Sequence, residues 1–404
     1  MIHSFSCKNF YSFKDLATVN FVVNENAPKD NGYFVSSAEE RLSKVEVVIG
    51  PNASGKTNLL KVLPFLKWLI VDSFKLNPTA PITVKPFLSN VGKDKPIELS
   101  VEFEIEGKVY VYSFKLNEKI ILSEELKLKS KTKKKTTSKK IFSREWIEAD
   151  KKYKFIDQKF NAPKGIEDLL RTNASVIESA IRLNHKESQD IARYWQQIAT
   201  NVIEAGWVGD FVGMPSPMVQ LVETSIFFSE NEKLKKAAET LLSKFDLGLE
   251  AIDIKKEKVE DRLNIEIKGV HSFNGQKQSL LFQYESSGTR QLFVLLKSIL
   301  QVLDRGGIAI LDELDVNLHP EMVSSLLDLF INPDTNPKNS QILFSTHSHQ
   351  ILNRLDKYQI VLVEKNENGS SDSWRLDEMA GVRADDNYFT KYIAGAYGAV
   401  PKIK

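Results

Sequence analysis

Eight residues near the start of the chain have the types and spacing of a phosphate-binding loop. The segment 50–57 reads Gly-Pro-Asn-Ala-Ser-Gly-Lys-Thr, a glycine-rich turn followed by a lysine and a hydroxyl residue. Gly50 and Gly55 permit a tight turn with inward-pointing N–H groups, and a helix that follows aims its positive end at the same point. In such a loop Lys56 reaches the β- and γ-phosphates, and the Thr57 hydroxyl holds Mg²⁺.

This chemistry requires a strand before the loop and a helix after it. The apolar run Val45–Ile49 predicts a core strand that ends at the loop. The segment from Asn58 onward is compatible with a helix, and its most apolar part, Val62–Val71, predicts a buried helix. A strand, a loop and a helix therefore follow one another in the order that phosphate binding needs.

A second apolar strand ends in two carboxylates. Residues 307–311 read Gly-Ile-Ala-Ile-Leu, and Asp312 and Glu313 follow directly. With a phosphate loop upstream, Asp312 is expected to bind Mg²⁺ through water and Glu313 to polarise the attacking water. A buried strand that ends in acids is common by itself, so its place downstream of the loop is what favours a functional role.

Two other segments have anion-binding potential. Residues 285–291 read Glu-Ser-Ser-Gly-Thr-Arg-Gln and precede an apolar helix expected from Leu292, so Ser287 and Gly288 form either an anion-binding helix start or a plain helix cap. His347 follows the apolar run 341–344, at the end of a parallel strand where α/β sheets bind ligands. A γ-phosphate sensor is needed at that place.

Together these segments resemble the ATP-binding-cassette ATPases. The resemblance is to the branch that includes the chromosome-maintenance, RecF-like and overcoming-lysogenisation-defect-type ATPases. The matching segments are Walker A at 50–57, the signature at 286–291, Walker B at 308–313, the D-loop at 314–320 and the switch histidine His347. The start at 8–13, Lys-Asn-Phe-Tyr-Ser-Phe, also looks like that branch, and the tail 387–401 looks like the ending of stand-alone bacterial defence ATPases of the RloA-like, abortive-infection and PARIS types.

The resemblance implies an α/β fold of the ABC-ATPase head type. Such a head has a mixed sheet with helices, a phosphate-loop core, an antiparallel β subdomain and here an inserted helical arm. The implied ligands are ATP and Mg²⁺, with Lys56, Glu313 and His347 as catalytic residues and with Thr57 and Asp312 as metal ligands. The implied nucleotide-binding residues are Gly50, Asn52, Ser54, Gly55, Lys56, Thr57, Asn58, Ser287 and Gly288.

One departure from the family pattern concerns a glutamine that completes Mg²⁺ coordination. The first glutamine of this chain is Gln158, which lies too late in the sequence for that role. Either another residue, near 86–90, takes the role of this glutamine, or the coupling between the nucleotide and the arm differs from that of the family.

In the cassette geometry the signature of one subunit faces the Walker A loop of another. One chain carries one of each, so a head-to-tail homodimer or a higher oligomer is expected, closed by binding at the γ-phosphate and reset by hydrolysis. The resemblance further implies a defence complex with a separately encoded effector, a nuclease or a toxin. The alternative is a RecF- or SMC-like ATPase that binds DNA in repair or chromosome maintenance, and a transporter engine is disfavoured by the form of the signature.

A lysine-rich segment, Lys127 to Lys140, bears on that alternative. It holds eight lysines and no acidic residue, so it could attract phosphate backbones. The other interpretation is a solvated hairpin tip or a flexible loop, because no aromatic residues are interleaved to stack on bases.

Composition adds few constraints. The 404 residues are 42% apolar, which supports a sizeable core, and the net charge of +2 gives no sign of a nucleic-acid or membrane partner. A single cysteine, Cys7, fits a reducing cytoplasm. No signal peptide and no run of about 20 apolar residues is evident, so we expect a cytoplasmic protein without a membrane partner.

The rest of the chain divides by its periodicity into three parts: an N-terminal ATPase lobe at 1–162, a helical arm at 163–245 and a C-terminal ATPase lobe at 246–404. Alternating patterns predict a hairpin at 2–23, two strands within 97–116 joined at Glu106-Gly107, and strands near 263–267 and 280–282. The polar segment 24–43 predicts a loop. After the strand predicted at 360–363 some forty residues remain, too few for a fused nuclease domain, so we expect any effector chemistry in a partner.

Overall fold

A computed structural model describes residues 1–29, 32–38, 40–87, 95–132, 135–202, 216–245, 248–259 and 262–401. Within these ranges no helix combines the length and the apolar character needed to cross a membrane.

The elements of the first half are β1 (Ile2–Lys8), β2 (Ala17–Asn20), β3 (Val22–Val23), β4 (Phe34–Ser37), β5 (Glu40–Ser43), β6 (Val45–Ile49), α1 (Lys56–Leu60), α2 (Val62–Val71), β7 (Ile97–Ile105), β8 (Lys108–Leu116), β9 (Ile121–Thr132), β10 (Lys135–Ile147), β11 (Lys152–Asp157), α3 (Val176–Ile181), α4 (Lys186–Gln196) and β12 (Ala199–Thr200). Those of the second half are α5 (Pro217–Glu230), α6 (Glu232–Phe245), β13 (Leu249–Val259), β14 (Arg262–Phe273), β15 (Gln276–Leu281), α7 (Ser287–Arg305), β16 (Ile308–Leu311), α8 (Pro320–Ile331), β17 (Gln341–Ser345), β18 (Ile360–Lys365), β19 (Ser371–Arg375) and α9 (Tyr388–Ile393).

The apolar runs of the sequence form the central sheet, whose strand order is β12-β16-β17-β6-β18-β19. Its strands pair in parallel except for the antiparallel pair of β18 and β19. All residues of β6, β16 and β17 are buried, as expected for parallel strands covered on both faces. The strands predicted before the loop and before the carboxylates are therefore confirmed.

An antiparallel sheet with the order β11-β10-β9-β8-β7-β1-β2 accounts for most of the N-terminal half. The hairpin predicted at 2–23 is confirmed as β1 and β2, and the two strands predicted at 97–116 are β7 and β8. Their turn at Glu106 and Gly107 has positive φ at both residues, 49° and 77°, the conformation of a tight hairpin.

The prediction of a loop at 24–43 is wrong in part. Strands β4 and β5 pair with each other, and β5 pairs with β3, to form a small antiparallel sheet. These strands have at most four residues, too few to show a clear alternation in the sequence. Leu42 is fully buried and anchors the sheet to the body of the protein.

Alternate residues of the central strands face two different hydrophobic cores. Val48 packs in the core shared with the antiparallel sheet and with α2 to α4, whereas Val47 and Ile49 pack in the core shared with α5 to α9. Helices thus cover one face of the central sheet and a mixed layer covers the other. The α/β class with an antiparallel β subdomain is confirmed.

The helices predicted within 163–245 are present, but they pack on the two cores. Ile177 and Ala180 of α3 lie in the first core, and Leu234 and Ala238 of α6 lie in the second. Strand β12, in the same part of the chain, joins the central sheet beside β16. The apolar faces of these described helices therefore find partners within the two cores. The division of the chain into three domains stays a prediction.

Candidate functional site

The glycine-rich loop joins β6 to α1. Helix α1 continues into α2 through Lys61, which keeps right-handed helical angles. The turn depends on left-handed backbone at Ala53 (φ 61°) and Gly55 (φ 116°). The Lys56 ammonium lies back over the loop and donates to the carbonyl oxygens of Gly50 at 2.8 Å and Pro51 at 3.0 Å.

Both glycines are needed because their neighbours leave no space. A Cβ atom at Gly50 would lie 2.1 Å from the carbonyl oxygen of Val363, and one at Gly55 would lie 2.4 Å from Ser371 Oγ. The positive φ of Gly55 adds conformational strain to any other residue type there. The loop geometry therefore has little tolerance for substitution.

The loop has the donors that a triphosphate needs. Ser54 Oγ is buried and has no hydrogen-bond partner among the described residues, and Thr57 and Asn52 are exposed. Among the described residues, the Lys56 ammonium donates to two loop carbonyls, and it can exchange them for phosphate oxygens. A buried orphan hydroxyl, an exposed hydroxyl and a buried ammonium at one turn fit a phosphate chain with Mg²⁺.

The end of β16 places the two predicted carboxylates beside β17. Ser345 Oγ lies 2.5 Å from Asp312 Oδ1 and donates to it, and it accepts the Glu313 N–H at 2.8 Å. Glu313 has left-handed backbone, with φ 49°. A non-glycine residue held in that region often marks a functional site, since surrounding contacts must hold it there.

The switch histidine contacts the residues that follow Walker B. The backbone N–H of His347 donates to both carboxylate oxygens of Asp315, at 3.1 and 3.2 Å. Its Nε2 lies 4.0 Å from Glu313 Oε1. The side chain of Asp315 therefore fixes the backbone that carries His347 opposite Glu313.

The pKa of Lys56 is affected by burial and by three nearby carboxylates. Burial lowers the pKa of the Lys56 ammonium, and the negative charges of Asp312, Glu313 and Asp315 oppose that shift. Burial also lowers the pKa of His349, helped by the positive charges of His347 and Lys56. The structure thus brings Lys56, Asp312, Glu313 and His347 into one electrostatic environment.

Several residues of this arrangement were not predicted. Asn201, just after β12, exchanges two hydrogen bonds with the Asp312 backbone: its Nδ2 donates to the carbonyl at 3.0 Å and its Oδ1 accepts the N–H at 2.7 Å. No local motif marks Asn201, because its role depends on an edge strand formed far from β16 in sequence. Ser345 lies two residues before the predicted histidine, and its place at the end of a core strand was the available signal.

The signature residues lie at the start of α7, which begins at Ser287 and thus five residues earlier than predicted. Ser286 is the N-cap, and its Oγ accepts the Thr289 N–H at 3.1 Å. Ser287 is exposed, and a Cβ at Gly288 would lie 2.8 Å from the carbonyl oxygen of Asn317 in the D-loop. In the described structure no hydrogen bond joins Ser287 or Gly288 to the loop of the same chain.

The lysine-rich segment forms the hairpin of β9 and β10, as one of the two interpretations expected. Lys127 and Lys140 both pair with Glu125, and Lys129 Nζ lies 2.5 Å from Glu102 Oε2. Residues 133–134 fall outside the described ranges. Lys127, Lys129 and Lys140 therefore have acidic partners within the sheet, and nucleic-acid binding by this segment stays a prediction.

The residue that replaces the missing glutamine is not identified. Of the candidate segment 86–90, residues 88–90 lie outside the described ranges. The Phe87 N–H, just before them, donates to Asn9 Oδ1 at 3.1 Å. This part of the chain is thus held by the N-terminal segment that resembles the family start.

Comparison with known proteins gives one family match and one curated relative. Residues 46–353 match the family described as AAA domain, putative AbiEii toxin, Type IV TA system. The Retron Ec83 probable ATPase of Escherichia coli is 24% identical over 180 residues, which are 41% of this chain. That alignment spans only 32% of the length of the retron protein.

Three solved structures are similar over 93% of this chain. The SMC head domain from Thermotoga maritima has a TM-score of 0.40 and 14% identity, with 98% of it covered. The Smc head bound to the C-winged helix domain of ScpA has a TM-score of 0.43 and 15% identity, with 98% covered. The Smc head domain with an extended coiled coil, bound to the C-terminal domain of ScpA derived from Pyrococcus furiosus, has a TM-score of 0.44 and 12% identity, with 97% covered.

Proposed function

This chain belongs to the family described as AAA domain, putative AbiEii toxin, Type IV TA system, and from that premise we propose that it hydrolyses ATP and thereby controls a separately encoded effector in antiphage defence. It is an ATPase of the ATP-binding-cassette type, in the branch with RecF-like, SMC and defence ATPases. The observation that carries the proposal is that the glycine-rich loop ends β6, which pairs with β17, and that Ser345 at the end of β17 holds Asp312 and Glu313 at the end of β16. A loop for phosphate and a pair of acids are both present there.

The residues of one chain have separate roles in this proposal. The N–H groups of segment 50–57 and the Lys56 ammonium bind phosphate oxygens, and Thr57 and Asp312 hold Mg²⁺. Bound Mg²⁺·ATP supplies the phosphoanhydride bond that is cleaved and the cation that offsets its charge.

Glu313 acts as the general base in this proposal. Its carboxylate is about half exposed, so water reaches it, and its backbone N–H is held by Ser345. His347, with Nε2 4.0 Å from Glu313 Oε1, orients that carboxylate and binds the terminal phosphate. Ser345 holds Asp312 at 2.5 Å and so keeps the metal ligand in a single orientation.

A second copy of the chain completes the site in our proposal. Ser287 is exposed and makes no hydrogen bond to its own loop within the described residues, so it is free to meet the loop of another chain. Tyr284 and Val316, beside the signature and in the D-loop, are 66% and 40% exposed. Exposed apolar residues next to both segments support a contact surface between subunits.

The defence role rests on the relatives. The family description names a toxin of a toxin–antitoxin system, and the curated relative is a retron ATPase. We propose that the effector, a nuclease or a toxin, is encoded by a neighbouring gene. The product of that gene should co-purify with the chain and separate from it when ATP is hydrolysed. A neighbouring recombination gene whose product binds instead would favour the repair alternative.

Nucleotide titration of Lys56→Ala tests the loop directly. Loss of charge-assisted hydrogen bonds worth about 2–3 kcal/mol weakens ATP binding by at least about 30-fold. Lys67→Ala is the matched control, since Lys67 is another partly buried lysine that donates to a backbone carbonyl, that of Ile198, at 2.6 Å. Calorimetric titration with Mg²⁺·ATP should separate the two variants. Equal affinities for both would remove Lys56 from phosphate binding.

A further inference from the structure

Three segments far apart in sequence meet at the Ser54-Gly55 peptide. Asn58 Nδ2 donates to Ser12 Oγ at 3.0 Å, Ser12 Oγ and Ser371 Oγ are 2.8 Å apart, and Ser371 Oγ donates to the Ser54 carbonyl at 2.5 Å. Ser12 belongs to the N-terminal segment, and Ser371 is the first residue of β19. Both ends of the glycine-rich loop are therefore tied to one pair of hydroxyl groups.

The Ser371 hydroxyl is the donor at the centre of this arrangement. It donates to the Ser54 carbonyl and to Ser12 Oγ, and Ser12 Oγ also accepts the Asn58 amide. A carbonyl oxygen can only accept, so the bond to Ser54 requires the Ser371 hydrogen. The orientation of the Ser54 carbonyl therefore depends on Ser371.

The backbone holds the two serines together independently of their side chains. The Ser371 N–H donates to the Ser12 carbonyl at 2.8 Å, and the Lys14 N–H donates to Ser370 Oγ at 3.3 Å. Ser371 is 2% exposed. The two hydroxyls also border Gly55, where a Cβ atom would lie 2.4 Å from Ser371 Oγ and 2.8 Å from Ser12 Oγ.

A fixed Ser54 carbonyl also fixes the direction of the Gly55 N–H. The peptide unit is planar and trans, so its oxygen and its N–H point to opposite sides. With the oxygen held by Ser371, the Gly55 N–H points away from β19, and it has no acceptor among the described residues. An available amide in a left-handed turn is a ready donor for an anion.

We propose that Ser371 is a positioning residue that orients the Ser54-Gly55 peptide for phosphate binding, an inference that rests on the ATPase function proposed above. The hairpin of β18 and β19 thereby becomes part of the nucleotide site, although its residues carry no recognised motif. Ser371 touches the loop backbone and acts through it.

The test compares the affinity for Mg²⁺·ATP of Ser371→Ala with that of Ser373→Ala. Ser373 lies two residues along the same strand, and its buried Oγ has no hydrogen-bond partner among the described residues. Loss of one neutral hydrogen bond raises the Kd of Ser371→Ala about fivefold, while the Kd of Ser373→Ala stays at the wild-type value. Both are titrated at a temperature where circular dichroism shows full folding, so a purely structural role for Ser371 would leave its Kd unchanged.

A double-mutant cycle with Ser12→Ala adds a second readout. Ser12→Ala removes an acceptor of the Ser371 hydroxyl and of the Asn58 amide but leaves the bond from Ser371 to Ser54, so its Kd rises less, about twofold. The double variant should bind no more weakly than Ser371→Ala alone, because both changes act on one chain of hydrogen bonds. Additive losses would overturn the single-chain arrangement. If Ser371→Ala does not fold, an unchanged Kd of Ser12→Ala overturns the inference and a raised one supports it.

The outcomes separate this inference from the proposed function. A wild-type chain that does not bind ATP contradicts both. If the wild type binds ATP, Lys56→Ala binds it at least about 30-fold more weakly, and Ser371→Ala matches Ser373→Ala, then the proposed function stands and Ser371 has no positioning role.

Discussion

Removing the Ser345 hydroxyl should release the Asp312 carboxylate and the Glu313 backbone N–H at the end of β16. This hydroxyl donates to Asp312 Oδ1 at 2.5 Å and accepts the Glu313 N–H at 2.8 Å. Ser345→Ala therefore deletes one hydrogen bond to a charged group and one neutral hydrogen bond without changing the apolar packing of β17. The same residue holds the metal ligand and the general base of the proposed site.

The size of the effect follows from these two bonds. A hydrogen bond to a charged group contributes about 1.5–3 kcal/mol and a neutral one about 1 kcal/mol. Asp312 is half-buried, so water replaces part of the lost bond, and we expect the free energy of unfolding to fall by about 2 kcal/mol. Ligand binding must then order the loosened Asp312 carboxylate and Glu313 backbone, which lowers kcat/KM for ATP by about 10- to 30-fold.

Two assays and a matched variant test this expectation. Urea unfolding followed by the fluorescence of the five tryptophans gives stability, and steady-state phosphate release gives kcat/KM. Ser73→Ala is the control: its hydroxyl donates to the Leu69 carbonyl at 2.6 Å and accepts the Ser175 N–H at 3.1 Å, away from the site. It should lose stability and keep wild-type kcat/KM. The reasoning is refuted if Ser345→Ala also keeps wild-type kcat/KM while losing stability.

Two further predictions concern the loop and a buried acid. Gly55→Ala should abolish measurable ATP binding, because Gly55 has a φ of 116° and the new Cβ would lie 2.4 Å from Ser371 Oγ. Gly107→Ala is the control, since Gly107 also has a positive φ but no atom lies within 4 Å of the new Cβ. This variant should keep the wild-type affinity in the same titration. Burial raises the pKa of Glu178 to about 7 from an ordinary 4.5, against the opposing charge of Arg182. The folded chain therefore keeps this proton where the unfolded chain releases it, so the free energy of unfolding should fall as pH rises from about 4.5 to 7. Glu178→Gln should show a smaller fall between pH 5 and pH 8 when both proteins are unfolded in urea. An equal fall in the wild type and in Glu178→Gln would assign the loss to other groups.

The parts of the fold that the sequence predicted are those with long, regular patterns. The apolar run Val45–Ile49 and the strand before Asp312 are buried on both faces, and such strands have a clear signal in the sequence. The two-residue turn at Glu106-Gly107 was also predicted, since its glycine favours positive φ. Local chemistry thus determined these elements.

The parts that were missed depend on contacts between distant segments. Strands β4 and β5 are too short to show periodicity. Asn201 contacts Asp312 across more than a hundred residues, and Ser371 contacts Ser54 across more than three hundred. No spacing rule connects such pairs, because tertiary packing alone brings them together.

The oligomeric state of Glu313→Gln with Mg²⁺·ATP tests the central claim most directly. Loss of the general base should slow turnover about 10²-fold or more, so the ATP-bound form accumulates. Sedimentation should then show a species of twice the 45.9 kDa of one chain with ATP and a single chain with ADP. A variant that binds ATP yet sediments as a single chain would contradict a site built from two copies.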